Sequence, residues 1–174
     1  LEARLPPDLI KKLGEQGFTP QRIFVLDSGE LERAGEELAA DDLRERIVNI
    51  DHHMANTMFG VVNWVDTSMS SVGEMIAKLA LDMGIPLGGP LGEALYLGIV
   101  ADTGNFSYGN TKPETHQLAA LILKAGLDPG TFITKYENQW TLNRLQLWSE
   151  VLGRASLFCS GRVGILRVPA ETLQ

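Results

Sequence analysis

Apolar residues along this chain fall into two rhythms. Short unbroken runs, each ending in polar residues, occupy 22–29 (RIFVLDSG), 46–53 (RIVNIDHH) and 60–66 (GVVNWVD). Runs of this length, bounded by turn formers, predict buried strands. Elsewhere the apolar positions recur every three or four residues. Val72, Met75, Ile76, Leu79, Ala80 and Met83 make one such stripe, with Ser70 and Ser71 as caps, Glu74 three residues after Ser71, and Gly84 and Pro86 as stops. That pattern predicts a helix. Residues 90–106 predict another, with Leu91, Leu95 and Ile99 on one face, and 113–126 a third, opened by Pro113 and closed by Gly126. One or two more are expected in 128–154, after a break at Pro129-Gly130. Residues 155–168 read as a hairpin turning at Ser160-Gly161. Weaker signals are a short helix within 1–22, turning at Gly17 and Pro20, and helical turns over 30–45 broken near Gly35.

Apolar strands alternating with helices argue for an α/β fold: a parallel sheet flanked by helices. The terminal hairpin breaks that rhythm and is expected to open a second domain. No internal repeat or low-complexity segment interrupts the pattern.

Composition narrows the function. With 44% hydrophobic and 21% charged residues in 174, the chain has an ordinary globular balance. A net charge of −7 argues against coating duplex DNA, which needs a broad cationic face. No apolar run approaches the length of a membrane span, and no secretory leader is visible. The single cysteine, Cys159, excludes an internal disulfide framework and fits the cytoplasm.

Candidate chemistry sits where apolar elements end. Asp27 closes the first strand and Asp51-His52-His53 the second. Ligands of open α/β sheets lie beyond the carboxyl ends of the strands, so both groups face one crevice if the strands are neighbours. Asp102 falls three residues after Ile99 and seven after Leu95, on the buried stripe of its helix. A buried carboxylate is costly without a partner, so something cationic should face it. Taken singly, each aspartate also reads as a turn former and each histidine as a satisfied core group. Together, carboxylates and imidazoles form a donor set that suits Mn²⁺ and related divalent ions, with Zn²⁺ also open. His116 lacks acidic neighbours and reads as structural or surface. Phe106 and Tyr108 fit base stacking or the core, with the core favoured. Phosphate-binding glycine loops and a serine-nucleophile elbow are absent.

Three segments carry a resemblance. NIDHHMANTMFGVVNWVDTSMSSVGEMI resembles the signature block of the DHH phosphoesterase superfamily. LYLGIVADTGNFSYGNTKPETHQLAALILKAGLD is similar to a later block, and IFVLDSGELERAG to an earlier one. They occur in the family's order and span roughly 22–128. Within the superfamily the segments look like those of the oligoribonuclease and 3′-phosphoadenosine-5′-phosphate phosphatase group (NrnA-like), with RecJ-like nucleases behind. The resemblance implies a DHH domain over 1–138, a linker helix over 139–153 and the first hairpin of the associated C-terminal domain over 154–174. It implies a site of two metal ions, usually Mn²⁺, with Mg²⁺ or another divalent ion as substitutes. By motif position, Asp27, His52 and Asp102 look like metal ligands, His53 like a contact to the scissile phosphate and Asp51 like the partner that orients an imidazole. Two ions about 3.5–4 Å apart clamp both ends of an in-line displacement at phosphorus.

The implied activity is Mn²⁺-dependent hydrolysis of short oligoribonucleotides or 3′-phosphoadenosine 5′-phosphate. Cyclic-dinucleotide cleavage is the enzymatic alternative, and a non-catalytic nucleotide-binding or regulatory module the alternative of another class. The expected partner is a small nucleotide or short single-stranded RNA, with no membrane, and a homodimer is compatible with this reading. The sequence departs from the family in two respects: the earlier His-x-x-x-Asp-x-Asp motif is not found, and the family's C-terminal glycine-rich substrate-binding motif is missing too. Because the chain also begins at Leu1, it is expected to be an internal piece of a longer protein. By itself it is then expected to bind at most one divalent ion weakly and to show little activity.

Overall fold

The three apolar runs fold as β1 (Ile23–Leu26), β2 (Ile47–Asp51) and β3 (Val62–Val65), hydrogen-bonded in the order β1-β2-β3 and parallel throughout. The computed structural model describes residues 12, 15–17, 19–35, 38, 41–136 and 140–168. The helix expected within 1–22 falls largely outside them, as does residue 139 of the expected linker helix. Residues Leu1–Leu127 form one compact unit and Asp128–Gln174 another.

Helices flank the sheet on both faces, as an α/β fold requires. Ile23, Val25 and Ile47 point to one face, where they meet Phe59, Leu38 and the short helix α1 (Leu31–Ala34) through Leu31 and Ala34. A second short helix, α2 (Asp41–Arg44), precedes β2. Val48, Ile50 and Trp64 point to the other face, against Val72, Met75 and Ile76 of α3 (Val72–Asp82). Strands of period two sort their side chains in this way.

Only β2 is buried along its length as the run of apolar residues predicts. Among the described residues β1 and β3 are the edges of this sheet, and their outer positions are open: Phe24, Leu26 and Val62 are exposed. A short apolar run reports strand formation but does not distinguish a central strand from an edge. The connection from β2 to β3, residues 52–61, contains no helix, in keeping with the short gap between the two apolar runs. Thr57 braces it, its amide and its hydroxyl both donating to the Gly29 carbonyl at 2.9 and 3.1 Å.

Helices α3, α4 (Gly89–Asp102) and α5 (Pro113–Lys124) pack on one another. The crossing of α3 and α4 is close because both are glycine at the contact. A Cβ on Gly73 would meet the Leu95 carbonyl oxygen at 2.8 Å, and one on Gly98 would lie 3.3 Å from the Gly73 Cα. Ser71 caps α3 by accepting from the Glu74 amide at 3.0 Å. The Glu74 carboxylate departs from the reciprocal box: it turns inward, takes the Ser70 amide, and is buried along with Val72, Met75 and Ala80. Leu79 and Met83, expected on that stripe, are exposed. Helix α4 ends at Asp102, earlier than the predicted 106, because Gly104, Asn105 and Phe106 all turn left-handed (φ 54°, 56° and 62°).

In the second unit, α6 (Pro129–Tyr136) takes Pro129 and Gly130 into its first turn, so the pair opens the helix where a break was expected. After it come α7 (Leu142–Gly153) and an antiparallel hairpin of β4 (Ser156–Phe158) and β5 (Val163–Ile165). Its turn, Cys159–Arg162, includes the predicted Ser160-Gly161. Among the described residues no helix is long and apolar enough to cross a membrane.

Candidate metal and phosphate site

The carboxyl ends of β1 and β2 deliver three side chains to one point. Asp27 follows β1 with φ 60°, a left-handed conformation that costs a non-glycine residue about 1–2 kcal/mol. Its amide still extends the β1–β2 ladder, donating to the Ile50 carbonyl at 3.0 Å, so the chain turns immediately after its last sheet bond. That turn places Asp27 Oδ1 3.4 Å from His52 Nε2 and 3.8 Å from His53 Nδ1. Ligand atoms of Asp27, His52 and His53 all lie within 4.8 Å of one another. From the end of α4, Asp102 brings its Oδ2 to 3.5 Å from the same His52 Nε2. The group that faces Asp102 is therefore this imidazole, a cationic partner when protonated.

His52 is oriented from behind. Its Nδ1 lies 3.3 Å from the Met69 carbonyl oxygen, which only accepts, so Nδ1 carries the proton and donates. Nε2 is left facing two carboxylates. The hydrogen bond to Asp27 raises the His52 pKa; burial opposes this, and the charges of Asp102 and Asp27 add to the rise. Asp102 is pushed up from the usual carboxylate range, by burial first and by the charge of Asp27 next. Two carboxylates crowded on one imidazole nitrogen are short of positive charge. A divalent cation among Asp27, His52 and Asp102 would answer that shortage, and hard oxygen with imidazole nitrogen is a donor set such ions accept.

His53 is held by another carboxylate. Its Nδ1 donates to Asp51 Oδ1 at 2.7 Å, while Asp51 itself is fully buried. Burial works against ionising Asp51, but hydrogen bonds from Asn56 and His53 outweigh it and lower its pKa. Asn56 is the centre of this arrangement. Its Nδ2 lies 2.6 Å from Asp51 Oδ2, 2.9 Å from Asn49 Oδ1 and 3.2 Å from the Ser28 carbonyl oxygen. The buried Asn49 reaches the same Ser28 carbonyl at 3.2 Å. The Asp51 carboxylate thus bonds the imidazole of His53, and meets His52 only at its backbone.

All five residues singled out from the sequence, Asp27, Asp51, His52, His53 and Asp102, come together here. His116 lies apart from them, exposed on α5 and stacked on the Phe106 ring at 5.0 Å between centroids. Phe106 is half-buried, also facing Tyr96 at 6.1 Å. Tyr108, favoured for the core, is 61% exposed and lies over Gly104. The left-handed glycine has no Cβ, so the ring can approach. Sequence reasoning missed Asn49 and Asn56. The available signal was an asparagine inside an apolar strand (Asn49), where an unpartnered carboxamide is disfavoured.

An α/β sheet with carboxylates and imidazoles at its strand ends defines a class, and comparison with known proteins supports a relationship to the DHH phosphoesterase superfamily. The bifunctional oligoribonuclease and PAP phosphatase NrnA of Bacillus subtilis is 30% identical over 156 residues, covering 87% of this chain and 48% of that protein. The protein of the same name from Thermus thermophilus is 36% identical over 81 residues, covering 47% of this chain and 25% of its own length. An exopolyphosphatase-related protein from Bacteroides fragilis shares the fold with a TM-score of 0.80 at 23% identity, over 94% of this chain and 50% of that one. The chain thus spans half or less of the length of each relative. No protein-family model matches it.

Proposed function

We propose that this chain contributes the phosphoester-cleaving site of a Mn²⁺-dependent phosphoesterase acting on short oligoribonucleotides and 3′-phosphoadenosine 5′-phosphate. The observation that carries the reading is the His52 imidazole. Its Nδ1 is tied to the Met69 carbonyl, and its Nε2 faces Asp27 and Asp102 at 3.4 and 3.5 Å. The substrate class takes its support from the names of the similar NrnA proteins. A bound divalent ion supplies positive charge to an anionic substrate and polarises its phosphoryl oxygens.

The chain's own residues do the rest. Asp27, His52 and Asp102 hold the ion, and the Met69 carbonyl keeps the His52 ring in the tautomer that can bind it. Asp51 stays ionised and keeps the proton of His53 on Nδ1, which orients the ring. The His53 side chain is 44% exposed, so its Nε2 is available to a phosphate oxygen. There, with a proton on Nε2 as well as on Nδ1, it would donate a hydrogen bond to that oxygen. The acidic chain favours small substrates over long duplexes.

The test is hydrolysis of a ribodinucleotide and of 3′-phosphoadenosine 5′-phosphate with Mn²⁺, by the gene product that carries this sequence and by its Asp102→Ala variant. Turnover should fall at least 100-fold in the variant. Bound Mn²⁺ with no turnover of either substrate would overturn the substrate class, and cleavage of cyclic dinucleotides would replace it. Neither turnover nor bound ion would overturn the enzyme reading in favour of a nucleotide-binding module.

A further inference from the structure

Asn110 lies outside the cluster just described, on the loop that leaves α4. Three left-handed residues in succession, Gly104, Asn105 and Phe106, reverse the chain there. The reversal returns residue 110 to the end of the helix. Its Nδ2 lies 3.0 Å from the Ser70 carbonyl oxygen and 3.1 Å from the Asp102 carbonyl oxygen. Both partners only accept, so the orientation of the carboxamide is decided by chemistry, and both of its N–H bonds are used. The Asp102 carbonyl is one of those a helix end leaves without an intrahelical donor. The Ser70 carbonyl lies 40 residues away in sequence.

These two carbonyls flank the two contacts that define His52. Ser70 follows Met69, whose carbonyl oxygen receives His52 Nδ1. Asp102 is the residue whose carboxylate faces His52 Nε2. A closed ring results, from His52 to Met69, along the peptide to Ser70, across Asn110 to Asp102, and back to His52. The Ser70 side of the ring is rigid. Ser70 is fully buried, and its amide and hydroxyl both donate to Glu74 Oε2, at 3.0 and 2.6 Å. Glu74 is fixed in turn by the Thr115 hydroxyl at 3.1 Å and by Lys78 Nζ at 2.9 Å.

We infer that Asn110 is a positioning residue of the proposed metal site. It sets the separation between the carbonyl that orients the His52 ring and the carboxylate that shares its free nitrogen. A carboxamide does this with one uncharged side chain, whereas a hydroxyl has a single proton and an ionised carboxylate none. The inference rests on the cation reading for its purpose, but the ring of contacts is a property of the chain without an ion.

The test therefore begins without a divalent ion. Long-range ¹H–¹⁵N correlation spectra of the histidine side chains are recorded for the 174-residue chain and for Asn110→Leu, Asn110→Ser and Ser107→Ala. Leucine removes both donors, serine keeps one, and Ser107→Ala removes a loop bond to the Gly104 carbonyl that does not bridge the site. The His52 nitrogen signals should move most in Asn110→Leu, less in Asn110→Ser and not in Ser107→Ala. His52 signals that superpose on the parent's in both Asn110 variants, or that move equally in Ser107→Ala, would overturn the inference. If both Asn110 variants unfold, the parent chain decides: hydrogen-bond couplings from the Asn110 carboxamide to the Ser70 and Asp102 carbonyl carbons support the bridge, and their absence overturns it. With Mn²⁺ added, paramagnetic resonance of the free ion should show affinity weakened about 10-fold in Asn110→Leu. A parent chain that takes up no Mn²⁺ would count against the cation reading, while the ion-free spectra still decide the role of Asn110.

Discussion

Strand β2 and the hairpin β4–β5 are built from similar residues and end in opposite environments. In β2, Ile47 is 0% and Ile50 4% exposed, and the polar Asn49 and Asp51 are both at 0%. In the hairpin every strand residue is exposed, with Leu157 at 73% and Phe158 at 48%. A sheet position is buried when layers cover both faces and neighbours pair both edges. β2 has both kinds of cover, since β1 and β3 flank it and apolar clusters pack on either face. Within the described residues each hairpin strand has only the other beside it. The protection of β2 is also what makes its polar residues useful. A buried Asp51 with a fixed partner holds an imidazole, whereas the same carboxylate in water would be screened and mobile.

The comparison is broken most sharply by truncation. Ile47→Ala should cost about 2–5 kcal/mol in urea unfolding, because it opens a cavity in the centre of a covered sheet. A cost under about 1 kcal/mol would show that the cover of β2 is loose. The next effect comes from the buried polar layer. Burial disfavours the charge on Glu74, but its bonds to Ser70 and Lys78 outweigh burial and lower its pKa below the ordinary 4.5. A lowered folded value means stability that is present above the unfolded value and lost as pH falls through the folded one. Glu74→Gln should therefore destabilise the chain by about 1.5–3 kcal/mol near neutral pH. It should also flatten the loss of stability below about pH 4.5. Thermal melts from pH 3 to pH 7 check both.

A smaller effect follows from His52. Its folded pKa lies above the ordinary 6.5, so its ion pair with Asp27 and Asp102 contributes stability fully below that value and loses it as pH rises through the folded one. In the proposed reading Mn²⁺ competes with that proton. Its affinity, measured by calorimetry, should rise with pH by up to about 10-fold per unit until His52 is neutral, about 1.4 kcal/mol per unit. Affinity independent of pH between 6 and 8 would remove His52 from the ligand set. Smallest of all, Leu157→Ala in the hairpin should change stability by no more than about 0.5 kcal/mol, since little of its surface is withdrawn from water.

Much of the candidate site was legible before the fold. An Asp or Asp-His-His at the end of an apolar run is a local signal, and runs of that length form strands whose carboxyl ends share a crevice. Helical spacing likewise put Asp102 on the inner stripe of its helix. The supports of the site were not legible. Asn49 reaches Ser28 across 21 residues, Asn56 across 28, and Asn110 reaches Ser70 across 40. A carboxamide in a sequence shows that it needs partners, not where they are.

The sequence by itself determined the elements, their order and the chemical character of their ends, because hydrophobic period and turn chemistry act over a few residues. Tertiary structure alone decided that, among the described residues, β2 is central while β1 and β3 are edges. It also decided that Asp51 serves His53, and that Asn110 ties Ser70 to Asp102. Those outcomes depend on which distant segments share a layer and on hydrogen bonds that exist only once water has been excluded from between them.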